Sequence, residues 1–262
     1  MTTITAPAAH RVTPARVLHA EWHKLRTLRS TWVSLALTLA LTLATGLAIA
    51  GSFESGGGDD DIDPVLLVLL GMQFSQIIVG VLGILATAGE HSTGMIRSTM
   101  TAVPRRLPVL WSKAAIIAAL SFVTVLITNL VTFTAAQPLL DGTGRSASLG
   151  DPGVAGALVG NAAGLALLGV MALAIGALVR SVPAAIGVLI GAVMVLPEVL
   201  GMLPYDVIDD TVRYFPAKAL ETLTQADPAP GGTSAGAALL ALALWAAATL
   251  GAAALLLRRR DV

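Results

Sequence analysis

The chain has 262 residues, 55% hydrophobic and only 12% charged, with no cysteine and a formal net charge of zero. Soluble domains carry about 25% charged residues, so this composition excludes an ordinary water-soluble globule. The lack of cysteine excludes disulfides, a thiol nucleophile and cysteine-based metal sites.

Residues 1–12 are small and polar and predict a disordered tail, followed by a single transmembrane domain over 13–262. Thr13 and Pro14 read as N-cap and first helical residue, because proline is tolerated where its missing N–H costs nothing. From there Leu18, Trp22, Leu25 and Trp32 fall on one stripe, flanked by Arg16, His19, His23, Lys24 and Arg26. The pattern predicts a basic amphipathic helix at the lipid interface.

A membrane-spanning helix needs about 20 mostly apolar residues. Six segments qualify: 32–51, 64–88, 110–135, 154–179, 182–203 and 236–257. Ala48, Ile49 and Ala50 resemble a signal cleavage site. The apolar run before them is, however, longer than the usual 7–15 residues of a signal peptide, so it is read as a retained span. Residues 52–63 (SFESGGGDDDID) form an acidic loop whose spacing does not match a calcium-binding EF-hand, so no metal site is expected. The loop 89–113 combines Gly94, Pro104 and several basic residues, and predicts a short surface helix between the second and third spans.

Polar residues inside the spans are sparse, and Gln73, Gln76 and Asn129 are candidates for a transport pathway. The fourth span has Gly156, Gly160 and Gly164 at four-residue steps, a face on which another helix can approach closely. Arg180 and the following Ser181, Val182 and Pro183 separate the fourth span from the fifth. Glu198, bracketed by Pro197 and Pro204, is a further pathway candidate near the end of the fifth. Residues 204–235 are too apolar for a free linker and predict short helices on the outer surface.

Charge orients these segments. Thirteen of the 16 basic residues lie in the N-terminal arm, the 89–113 loop, the Arg180 turn and the C-terminal tail. Only Arg145, Arg213 and Lys218 fall on the other side, where the acidic loop lies. Short loops rich in Lys and Arg stay in the cytoplasm, which predicts an all-α protein of the cytoplasmic membrane, multi-pass, with both termini inside.

Four stretches resemble the permease subunits of ABC type 2 exporters: EWHKLRTLRSTW (21–32), GEHSTGMIRSTMTAVPRR (89–106), LAIGALVRS (173–181) and RYFPAKAL (213–220). The resemblance implies that residues 15–29 form the amphipathic interfacial helix and that the loop after the second span acts as a coupling helix. Glu90, Arg97, Pro104 and Arg105 match the coupling positions. It also implies a separate ATP-binding subunit, with Mg-ATP held there, and two permease halves assembled as a homodimer or heterodimer. No GxxxxGK[ST] phosphate loop occurs in this chain. It is therefore not expected to be an enzyme, to bind a cofactor or to engage nucleic acid. The alternatives are a non-transporting immunity or signalling subunit and a secondary transporter driven by an ion gradient.

Overall fold

The computed structural model describes residues 13–54, 64–92, 94–95, 106–226 and 232–259, and the regular elements among them are all helical. The tail 1–12 and residues 55–63 of the acidic loop lie outside the described residues. Thr13 caps α1 (Pro14–Thr27): its hydroxyl accepts from the Arg16 N–H at 3.4 Å, and Pro14 opens the helix. Leu28 is extended, with φ −77° and ψ 124°, and turns the chain into α2 (Arg29–Glu54). The Trp32 indole N–H donates to Arg26 O at 2.8 Å across that turn.

The stripe expected at the lipid interface stays exposed except at Leu25, and the row beside it is the one α1 buries. Val17, Glu21 and Leu25 are buried, whereas Leu18, Trp22 and Trp32 are exposed. The row of residues spaced by four carries α1 onto the bundle, and the tryptophans are left facing outward.

The second expected span is not one rod. It divides into α3 (Pro64–Leu69) and α4 (Met72–Leu85). A Cβ on Gly71 would stand 2.8 Å from Thr42 O, so glycine lets the two backbones meet at the break. The Thr42 hydroxyl lies 3.4 Å from Gly71 O and 2.8 Å from the Ser75 hydroxyl. It supplies polar contact where the helical ladder lapses, as backbone in an apolar medium requires. A short α5 (Ala88–Ser92) follows α4, and then comes α6 (Arg106–Leu140).

α7 (Val154–Val179) ends at Arg180, which adopts the left-handed conformation (φ 60°) and donates its N–H to Gly176 O at 2.9 Å. Pro183 then helps start α8 (Val182–Val188), which continues through a π-helical turn (Leu189–Val195) into α9 (Leu196–Leu200). The separation expected at Arg180 is thus a capped helix end. Short α10 (Asp206–Val212) and α11 (Pro216–Thr222) precede the last helix, α12 (Ala235–Arg259).

Among the described residues, five rods are long and apolar enough to cross a membrane: residues 29–53, 107–140, 154–179, 182–200 and 235–259. This is compatible with a multi-pass membrane protein. α7 is the hub: 78% of its apolar window is buried, against 22–28% for α2, the 182–200 rod and α12. A helix apolar on all sides belongs in the middle of the bundle, and those with bare apolar faces form its perimeter.

α4 and α7 meet backbone to backbone, since a Cβ on Gly83 would lie 2.3 Å from Gly169 O. The glycine row expected to pack helices is used differently along its length. Gly164 faces Leu220, Leu223 and Leu242, Gly160 faces Leu223, and Gly156 meets nothing within 4 Å. The segment expected on the outer surface therefore fills this groove, with Ala219, Leu220 and Leu223 buried against α7 and α12.

Candidate functional site

The helices bring four charged side chains together where α1, α5 and α6 converge. Lys113 Nζ, one to two turns into α6, lies 2.6 Å from Glu21 Oε2 and 2.6 Å from Glu90 Oε1. Lys24 also bonds Glu90 and stands 3.5 Å from Glu21 Oε1. Glu21, Glu90 and Lys113 are buried and Lys24 is partly so. Two carboxylates and two ammonium groups leave the quartet neutral, so each buried charge has a counter-charge to offset its desolvation. Burial alone would raise the Glu90 pKa, but Lys113 and then Lys24 outweigh it and hold the carboxyl below the usual glutamate range.

The quartet joins segments 23 to 92 positions apart in the chain. Ionic contacts therefore tie α5 directly to α1 and α6. Beside it lies a cavity of about 190 Å³, lined by Leu25, Leu28, Leu82 and Leu85 together with Lys24, Glu90 and Lys113. Glu90 Oε2 is buried with no hydrogen-bond partner, so the carboxylate keeps acceptor capacity beyond the quartet. His91 Nδ1 lies 3.1 Å from Thr87 O, which requires its proton on Nδ1 and leaves the buried Nε2 without a partner.

Of the expected coupling residues, Glu90 belongs to this quartet, while Arg97, Pro104 and Arg105 lie outside the described residues. In the sequence Lys113 counts only among the basic residues of the 89–113 loop, and nothing there pairs it with Glu21 or Glu90 with Lys24. The signal for these pairings becomes readable only once the buried row of α1 is known. Glu21 lies four residues from both Val17 and Leu25, so it places a carboxylate within the buried row of α1. A charge there calls for a cation from another segment.

The pathway candidates separate into three environments. Gln73 is exposed and Gln76 is buried. Asn129 is buried against α7, donating to Leu158 O at 3.0 Å and to Asn161 Oδ1 at 2.9 Å. Asn161 in turn contacts Met72 Sδ at 3.1 Å, so these amides stitch α6, α7 and α4 together. Glu198 is exposed at the opposite end, 3.0 Å from Lys218, which also binds Glu221 at 3.1 Å. Burial alone would lower the Lys218 pKa, but the two carboxylates outweigh it and raise it. These three residues, with Asp209 and Arg213, line an open cavity of about 520 Å³.

No protein-family model matches the chain, and comparison with curated proteins returns no match.

Proposed function

We propose that the chain is the membrane permease subunit of an ATP-driven ABC exporter, with ATP hydrolysed by a separate nucleotide-binding subunit. In this reading α3 and α4 together make a sixth crossing, both termini face the cytoplasm, and the protein lies in the cytoplasmic membrane. The observation that carries the proposal is the quartet of Glu21, Lys24, Glu90 and Lys113. It flanks the basic loop between α5 and α6, where a motor pushing on that loop would move α1 and α6 as well. Such a push switches the bundle between two states only if it makes different contacts in each. The lack of a phosphate loop in the sequence supports placing nucleotide chemistry on another chain. Glu198, the one charged pathway candidate, sits exposed beside Lys218, which weakens the ion-gradient alternative.

The experiment is purification from the native membrane, followed by reconstitution into proteoliposomes. The chain alone is expected to hydrolyse no ATP and to copurify with a nucleotide-binding subunit. Glu90→Gln and Arg97→Gln should leave hydrolysis running while transport falls. Transport driven by an ion gradient with no ATPase present overturns the proposal.

A further inference from the structure

The turn between α1 and α2 builds a second crevice. Trp22 and Trp32 wall it, Leu25, Leu35 and Leu120 line its apolar interior, and Arg26 stands at its edge; its volume is about 130 Å³. That is close to the roughly 150 Å³ that accepts a benzene-sized apolar guest. The Trp32 indole bond to Arg26 O holds the wall in place across the Leu28 turn. Thr31 also lines the crevice. It is 3% exposed, yet its hydroxyl has no hydrogen-bond partner. Threonine within a helix usually satisfies its hydroxyl on the carbonyl four residues earlier, but Thr31 stands in the first turn of α2, just after the extended Leu28.

Charge selects the occupant. Arg26 and Arg29 are exposed, and neither is paired with a carboxylate among the described residues. They stand at the N-terminal end of a 26-residue helix, where the helix dipole adds positive potential. An apolar slot between two tryptophans, a buried hydroxyl and two free guanidinium groups together suit one amphiphile.

We propose that this crevice is a binding site for an anionic phospholipid. An acyl segment lies between Trp22 and Trp32, the phosphate sits on Arg26 and Arg29, and Thr31 donates to a lipid oxygen. The inference rests on α2 crossing the membrane, but not on the exporter reading. It gives α1 a specific lipid ligand in addition to general attraction to a charged surface. Two basic side chains at a membrane surface favour an anionic over a zwitterionic lipid by about 30-fold.

The test uses the full chain carrying Trp111→Phe and Trp245→Phe, so that only Trp22 and Trp32 of its four tryptophans report. Fluorescence quenching is titrated in vesicles with dibrominated phosphatidylglycerol or dibrominated phosphatidylcholine. The expected result is quenching at roughly 30-fold lower mole fraction of the anionic lipid. Arg26→Gln with Arg29→Gln should abolish that preference while both lipids still quench. Thr31→Val should weaken the anionic lipid severalfold with folding unchanged by circular dichroism. Equal quenching by both lipids in the parent, or a preference that survives loss of both arginines, overturns the site. Quenching by neither lipid in the reconstituted protein overturns the membrane placement of α2 as well.

Discussion

Lys113→Met is the most informative perturbation of the quartet. It removes the cation 2.6 Å from both Glu21 and Glu90 and leaves two buried carboxylates facing Lys24 alone. Breaking a buried ion pair by deleting one partner costs about 3–5 kcal/mol, because the remaining charge stays desolvated. A triple variant with Glu21→Leu and Glu90→Leu added has no buried carboxylate left. Lys24, already partly exposed, can turn to water. That variant should regain most of the loss, since apolar replacement of a whole buried network is often neutral or stabilising. Reversible unfolding in mixed micelles reads both variants.

The pH dependence adds a second criterion. The folded pKa of Glu90 is depressed, so its stabilising contribution is full above the unfolded pKa and is lost as pH falls through the folded value. In Lys113→Met the strongest cause of that depression is gone, and burial pushes Glu90 upward. The variant then takes up a proton at higher pH, and its deficit against the parent narrows towards acid. A single variant within about 1 kcal/mol of the parent refutes the reasoning. So does a deficit that widens towards acid.

Glycine substitutions separate packed from open helix faces. Gly83→Ala forces a methyl to within 2.3 Å of Gly169 O and should cost about 1–3 kcal/mol in the same unfolding assay. Gly156→Ala meets nothing within 4 Å and should be neutral, or stabilising by up to about 1 kcal/mol. Asn129→Leu alone should cost about 1–2 kcal/mol, because Asn161 loses its partner. Paired with Asn161→Leu, the loss should be less than the sum of the two single variants in a double-mutant cycle. Arg180→Gly should stabilise by about 1 kcal/mol, since glycine takes the left-handed conformation without a Cβ penalty.

Hydropathy and charge were enough to read the helical class, the start of α1 at Thr13 and the separation of α7 from α8 at Arg180. These features depend on local chemistry: a cap, a proline, a run of apolar residues long enough to reach across lipid. The break at residues 70 and 71 was not legible, because it depends on Thr42, 29 positions away, lying against Gly71. The buried face of α1 was not legible for a similar reason. Leu18, Trp22 and Trp32 are as apolar as any packed row, and only the position of α6 decides that Val17, Glu21 and Leu25 turn inward. Glu90 could be singled out from the sequence, but its partners could not, since an ion pair depends on distance in space and Glu21 and Lys113 are 92 residues apart. By itself the sequence determined which segments avoid water and which charges lie between them. Only the tertiary structure decided which of those charges neutralise one another, because the counter-charges come from separate helices.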